Sequence, residues 1–412
     1  MLKIPPALHH RRFRLLWLGL LFSMAGSQMQ VSALLWHIST LSDEPIALGG
    51  IGLARILPVI AFSLISGSIA DVYNRRRIMF VTQGTMTLVA LGLTCLTLCG
   101  EINIWLIYLL TAIQAVAAAF DLPARQALVP NLVPARDLPN AFSLQSIAAQ
   151  TGAIVGPALG GLVIAYLGQA YVYLINAVSF LAVFIALILM GSVEQNTNQT
   201  QRRAVSRTAI TEGIQFILHQ PIILSTMLID FFATFFSSAN TLMPLIATDR
   251  LGVGVIEYGW LNAAQSIGAV IAAVVISQLG QIPRQGRLFL IAVVSFGVFT
   301  ILFGLASSFL AAMLALVFVG ASDSVSTIIR NTIRQLQTPD YIRGRMVSIN
   351  QIFFTGGPQL GEVEAGVVAQ IFGPVFAIIS GGIGCLLAVG IIVRRWPQLR
   401  TYNGDEPIMS GR

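Results

Sequence analysis

A chain of 412 residues that is 56% hydrophobic and only 10% charged, with a mean hydropathy of +0.80, lies far from soluble globular domains, where about a quarter of residues are charged. The composition predicts a polytopic membrane protein. A formal net charge of +7 would suit nucleic acid only as one patch on a soluble face; the basic residues instead fall in short clusters between apolar runs, which argues against nucleic acid as a partner.

The first apolar run continues past about 20 residues, so it reads as a retained span rather than a cleaved leader. At about 20 apolar residues per crossing, the spacing predicts twelve spans, at 13–37, 47–70, 78–99, 103–120, 140–166, 170–191, 221–246, 258–279, 287–306, 308–328, 346–371 and 373–393. With a cytoplasmic N-terminus, every basic residue except Arg55 and Arg250 falls in a cytoplasmic segment. That asymmetry is the one expected for an even number of spans with both termini inside. The longest polar connection divides the chain into an N-terminal six-helix bundle (1–191), a linker with an amphipathic helix on the inner membrane surface (192–220), a C-terminal six-helix bundle (221–395) and a cytoplasmic tail (396–412). Cys95, Cys99 and Cys385 sit within apolar runs without metal spacing, so they read as small packing residues rather than a disulfide framework or metal site.

A weak internal repeat supports the division. An offset of 205 residues lays "ARQALVPNLVPARDLPNAFSL" (124–144) over "IRNTIRQLQTPDYIRGRMVSI" (329–349), matching Arg125 with Arg330, Pro134 with Pro339 and Ser143 with Ser348. Two parallel halves would place a substrate site between them near mid-membrane.

Between the second and third spans, "GSIADVYNRRR" (67–77) combines a small residue for close packing, Asp71 near a helix exit, Asn74 suited to a left-handed turn, and three arginines for an anionic leaflet. It resembles the signature loop of the major facilitator superfamily. Gly67, Ile69, Ala70, Asp71, Arg75 and Arg76 match, while Val72 replaces the family's first basic residue and Asn74 its second glycine. The resemblance implies that Asp71 helps to hold a cytoplasmic gate.

In span 5, "TGAIVGPALGG" (151–161) repeats Gly152, Gly156 and Gly160 every four residues, a smooth face that admits a second helix closely. Pro157 frees a carbonyl and allows a kink. With Gly161, the run resembles the second half of the superfamily's antiporter motif, which implies export. "FDLPARQALVPNLVP", "NAFSLQS", "GPALGGLVIAYLG", "NAVSFL", "DFFATFFSSANTLMP" and "TIRQLQTPDYIRGRMVSIN" occur in this order across most of the chain. Together they look like the branch of bacterial enterobactin exporters and related siderophore and drug efflux proteins. The implied fold is all-α, twelve transmembrane helices in two pseudo-symmetric bundles. The implied location is the bacterial inner membrane.

Five ionisable residues remain inside spans: Arg55, Asp230, Asp323, Glu362 and Glu364. Each costs about 2.5–3.5 kcal/mol at a helix centre on insertion scales. They are either functional charges or ion pairs that stabilise packing. At 1.5 Å per residue, Arg55 and Glu362 both lie roughly 25 Å from the cytoplasmic ends of their helices. The superfamily fold sets spans 2 and 11 opposite each other, so the resemblance implies two contacts: Asp71 with Arg343 or Arg345 at the inner end, and Arg55 with Glu362 or Glu364 in the outer half. Two residues apart on a helix, Glu362 and Glu364 point about 200° apart, on opposite shoulders of a Gly357, Gly361, Ala365 stripe.

Asp230 and Asp323 are the candidates for protonation, since a carboxylate in a cavity of changing access can load and release a proton; Asp230 is placed marginally ahead. Gln28, Gln30, Gln114, Asn176 and Asn240 either line the cavity or join helices by hydrogen bonds. His37 reads as interfacial or titrating.

With no G-x-x-x-x-G-K-[ST], no H-E-x-x-H and no Cys/His cluster, the chain reads as neither an ATP-driven pump nor an enzyme, and no cofactor or metal is expected. The leading reading is a proton-coupled exporter of a small amphipathic compound, a siderophore or lipophilic drug. Its partners would be the substrate, protons and the lipid bilayer, with a monomer expected. The alternatives are a proton-independent lipid or lysolipid flippase and a non-transporting membrane sensor.

Overall fold

The computed structural model describes residues 5–193, 214–279 and 284–403; within its helices, the side chains at 63–64, 67–68, 70–71, 239, 340–345, 347–348 and 351–352 lie outside that description. Among the described residues there are helices and no strands. After a short turn, Pro6–His9, the long helices are α1 (Arg11–Leu41), α2 (Pro45–Val72), α3 (Arg75–Leu98), α4 (Ile104–Leu128), α5 (Leu138–Leu167) and α6 (Gln169–Met190). They continue as α7 (Pro221–Phe236), α8 (Val255–Gln278), α9 (Gln285–Leu305), α10 (Phe309–Leu336), α11 (Asp340–Phe372) and α12 (Pro374–Arg395). Among the described residues, eleven stretches are long and apolar enough to cross a membrane. The remaining expected span lies in α11, where Gln359, Glu362 and Glu364 dilute the apolar run.

Local chemistry sets the helix ends. Asn103 accepts the Leu106 amide at the start of α4, and Ser308 accepts that of Ala311 at the start of α10. Gly168 between α5 and α6 and Gly373 between α11 and α12 hold φ of +94° and +90°, a region open to glycine. Asn103 with Ser308, and Gly168 with Gly373, stand at the same 205-residue offset as the sequence repeat. Asn74 corrects an expectation. With φ −63° it is not left-handed but caps α3, accepting the Arg77 amide at 3.2 Å, because α3 begins at the next residue and its first amides need an acceptor.

Cα distances divide the chain into two compact units, Met1–Leu41 with Ala54–Ala204, and Ser42–Leu53 with Val205–Arg412. In the first, α1 packs on α5 and α6, and α3 on α4 and α6. In the second, α7 packs on α11 and α12, and α9 on α10 and α12; α8 joins α10. The four pairings of the first unit thus recur six helices later.

Close approach explains the glycine faces. A Cβ on Gly152 would stand 2.9 Å from the Ala25 nitrogen of α1, and one on Gly156 would stand 2.6 Å from the Ala25 carbonyl oxygen. Gly160, Gly161 and Pro157 are on the same helix, all buried. Gly361 of α11 meets the Phe235 carbonyl of α7, and Gly357 packs over Phe231 and Thr234. Small residues let each helix pair approach until backbone meets backbone.

Several boundaries differ from the sequence reading. The span expected at 221–246 is not one helix: α7 stops at Phe236, a 3-10 turn covers Ala239–Leu242, and a π turn covers Ile246–Arg250. Residues 194–213 of the expected linker lie outside the described set. Beyond them, 214–218 is helical and Ile217 is buried with Ile223, Met227 and Met346. Part of the expected tail is docked: Leu399 and Tyr402 are fully buried in the second unit, and the Gly286 amide donates to the Tyr402 carbonyl at 3.0 Å. Both side chains are apolar enough to complete that core. At the other terminus, Ala7 is buried in the first unit's core and its amide donates to Asn140 Oδ1 at 3.0 Å. Of the cysteines, only Cys385 is buried; Cys95 on α3 and Cys99 just beyond its end are exposed.

Candidate functional site

The second unit contains a buried charge cluster where α7 meets α10. Asp230 is 2% exposed, Arg330 3% and Arg334 2%. Asp230 Oδ1 forms an ion pair with Arg330 Nη1, and its Oδ2 lies 3.7 Å from Arg334 Nη2. Arg330 Nη1 also donates to Ser326 Oγ at 3.5 Å, and Arg334 Nη1 to Asn331 Oδ1 at 3.5 Å. Arg330 and Arg334 are one turn apart on α10, so both guanidinium groups reach a single carboxylate from one face.

Next to this cluster is a narrow cavity of about 10 Å³, at the lower edge of what one water requires. Asp230 and Thr234 line it from α7, Phe296 from α9, and Asp323, Ser326 and Arg330 from α10. Asp323 is partly exposed and, unlike Asp230, has no hydrogen-bond or ion-pair partner among the described residues. An aromatic wall adjoins the cluster. Phe231 stacks with Phe235 at 6.0 Å and meets Phe353 edge-on at 5.9 Å, and the Arg330 guanidinium lies 5.9 Å from the Phe354 ring centre.

Arg330 and Arg334 were missed as site residues, because the hydropathy pattern ends span 10 at 328 and leaves them in a basic loop. The helix in fact runs to Leu336. The available signal was their i, i+4 spacing in phase with Asp323. Asp121 was missed in the same way: α4 extends past the expected 103–120 to Leu128. Buried, Asp121 accepts from Thr82 Oγ1 and Gln83 Nε2 of α3, each at 2.9 Å.

Glu362 and Glu364 occupy α11, both partly exposed. Glu362 faces the first turns of α2, where its Oε2 would lie 3.2 Å from a Cβ on Gly52; the Gly49 and Gly366 backbones are in contact beside it. Gly357 and Gly361 instead face α7. Arg55 follows Gly52 on α2, in the other unit. The side chains of Asp71, Arg343 and Arg345, together with Gly67, are outside the described residues.

Arg75 and Arg76 start α3 and bind backbone. Arg75 Nη1 donates to the Ala127 carbonyl at 3.2 Å and to Asn131 Oδ1 at 2.9 Å; Arg76 Nε donates to the Leu187 carbonyl at 2.8 Å and its Cζ stands 4.9 Å from the Phe80 ring centre. Cations at the ends of α4 and α6 satisfy carbonyls that lack a helical donor.

The first unit's interior is joined by uncharged groups. Gln30 Nε2 donates to Gln114 Oε1 at 2.5 Å, Asn176 Nδ2 to Gln30 Oε1 at 2.7 Å, and Ser179 Oγ to Asn176 Oδ1 at 2.9 Å. The amides therefore link α1, α4 and α6. Gln28 lies against Gly156. In the second unit Asn240 and Gln265 exchange two hydrogen bonds, 3.1 and 2.7 Å. His37, one turn before the end of α1, is buried, 3.0 Å from the Tyr173 hydroxyl.

Comparison with known proteins agrees with this architecture. The family model described as transmembrane secretion effector matches residues 5–408. Enterobactin exporter EntS of Shigella boydii serotype 18 (strain CDC 3083-94 / BS512) is 27% identical over 344 residues, covering 84% of this chain and 82% of that protein. The Escherichia coli (strain SMS-3-5 / SECEC) protein of the same name is 26% identical over 347 residues, with the same coverage. Among solved structures, a bacterial homologue of the human lysosomal transporter Spinster superposes with a TM-score of 0.74 at 14% identity, covering 95% of this chain and 98% of that one. A bacterial homologue of the iron transporter ferroportin gives 0.67 at 16% identity, covering 93% and 98%. These likenesses show the fold. Helix order, repeated packing and the family match together establish that this chain, a multi-pass membrane transporter and not an enzyme, belongs to the transmembrane secretion effector family of the major facilitator superfamily.

Proposed function

We propose that the chain is a proton-coupled exporter of the bacterial inner membrane, with both termini cytoplasmic, acting by alternating access on a small amphipathic compound. The observation that carries this reading is the set of charges in the second unit, Asp230, Asp323 and Arg330 around one cavity with Arg334 paired to Asp230 beside it. Four charges in an apolar bundle are too costly to be incidental, and a carboxylate that meets changing access is suited to carrying protons. The relatives named enterobactin exporters favour export and suggest a siderophore; a lipophilic drug fits the phenylalanine-rich wall equally well. Asp71, Arg343 and Arg345 keep the proposed inner-gate role, and Arg55, Glu362 and Glu364 the outer one. Gly152, Gly156, Pro157, Gly160 and Gly161 are proposed to serve the antiporter-like motif.

The test is flux in proteoliposomes, with enterobactin and a panel of lipophilic dyes, with and without an imposed pH gradient. Accumulation that depends on the gradient is the expected result. Equal rates with and without it would replace the reading with a proton-independent flippase, and no flux across the panel would replace it with a sensor. Charge exchange tests the outer gate: Arg55→Glu combined with Glu362→Arg or Glu364→Arg should restore flux lost in the single variants.

A further inference from the structure

The two carboxylates beside the cavity are unequally served. Asp230 has both guanidinium groups, through Arg330 Nη1 and Arg334 Nη2. Asp323, on the same cavity, has no ion pair or hydrogen bond among the described residues, although Arg330 lines the cavity with it and its charge acts on it. Arg334 in turn is poorly satisfied: its Nε and Nη2 are buried without hydrogen bonds, and its approach to Asp230 is the long one, 3.7 Å. Two positive and two negative groups would balance as two pairs, yet they stand as one shared carboxylate and one solitary one.

Position on α10 gives a reason. Asp323, Ser326 and Arg330 follow one another at intervals of three and four residues, so they share one face. Ser326 is between the two charged groups and already accepts from Arg330. A guanidinium on its long flexible stem can therefore turn from Asp230 towards Asp323 along its own helix, passing Ser326. Asp230 would then retain Arg334. An ionised carboxylate without a partner is costly in such a site, whereas a protonated one is neutral. Among the described side chains of the other packed helices, α8 carries only Glu257 and α9 only Arg287, each within three residues of its helix start, α11 carries Glu362 and Glu364 beyond Phe353 and Phe354, and α12 carries Arg394 and Arg395 in its last turn.

We propose that Asp323 is the proton-carrying group of this site and that Arg330 is its movable counter-ion, holding Asp230 while Asp323 is protonated and passing to Asp323 when that proton leaves. Charge is conserved within the cluster apart from the proton itself. In the protonated state Asp230 is shared by Arg330 and Arg334. In the deprotonated state there are two pairs, Asp323 with Arg330 and Asp230 with Arg334. Arg334 is thus a positioning residue, holding Asp230 in the half of the cycle when Arg330 is away. The movement changes which charge ties α7 to α10, a direct way for one proton to alter helix packing.

This rests on the transport reading above, but its test does not use transport. The intact protein in lipid nanodiscs is examined by acid-minus-alkaline infrared difference spectroscopy, which reads the carbonyl stretch of protonated carboxylic acids. The wild type should show a titrating carboxylic-acid band with one component that disappears in Asp323→Asn and persists in Asp230→Asn. Asp323→Asn mimics the neutral group in place and should fold. Its persistence in Asp323→Asn, its loss in Asp230→Asn alone, or its absence from the wild type would overturn the assignment, leaving the exporter reading to the flux experiment. A second measurement addresses Arg334. In Arg334→Gln the melting temperature should fall relative to wild type more at alkaline than at acid pH, because only the deprotonated state depends on Arg334 alone. A deficit equal at both pH values would refute the exchange of partners.

Discussion

The two units share a packing scheme but are joined inside by different chemistry. In the first, α1 is held to α4 and α6 by the neutral amides of Gln30, Gln114 and Asn176. In the second, α7, which occupies the place of α1, is held to α10 by Asp230, Arg330 and Arg334. Amides keep their hydrogen bonds whatever the pH, whereas a carboxylate can exchange its counter-ion for a proton. The repeat therefore supplies two similar frames. In one, α1 is tied by neutral amides, with the carboxylate of Asp121 kept between α3 and α4; in the other, α7 itself is tied by charges.

The largest effect should come from removing the shared carboxylate. Asp230→Leu leaves two buried guanidinium groups facing each other, and should cost about 3–5 kcal/mol, read as a drop in the thermal unfolding midpoint in detergent. Adding Arg330→Met and Arg334→Met should recover most of that loss. If the triple variant is no better than the single, the cluster is not a self-contained ionic unit. The glycine faces test the likeness of the frames. Gly156→Leu in α5 and Gly361→Leu in α11 both drive a side chain into a partner backbone, and each should cost about 1–3 kcal/mol. A cost in one unit alone would break the equivalence.

Smaller changes sharpen the contrast. Asn74→Ala removes the cap of α3 and should cost about 1 kcal/mol, checked by thermal unfolding of the purified protein. Gln30→Ala should cost about 0.6 kcal/mol, the average for interhelical hydrogen bonds in a bilayer, with no dependence on pH. A pH-dependent loss there would show that the first unit also responds to protonation.

Much of the fold was legible because apolar length acts locally along the chain. Gly152 and Gly156, spaced four apart, marked a helix contact, and α1 is the helix that fills it. The charged residues were only half legible. Hydropathy ends a span at the first charge, so Asp121, Arg330 and Arg334 were placed outside the helices that contain them. Their helices continue because distant residues satisfy them: Thr82 and Gln83 for Asp121, and Asp230 for the arginines. The break after Phe236 was hidden for a related reason. The sequence through it stays apolar, while α11 and α12 pack against the Phe235 and Phe236 carbonyls with Gly361 and Gly381.

The sequence by itself determined an all-α membrane protein of many spans, because the cost of leaving water is a property of each segment, and its motifs pointed to the transporter superfamily. It also placed Asp230 and Asp323 on a short roster of expensive charges. Only the tertiary structure decided that these two are unlike, one paired with two guanidinium groups and the other with no ion pair among the described residues. A counter-ion is a property of neighbours in space, and Arg330 and Arg334 become neighbours of Asp230 only when α10 packs beside α7.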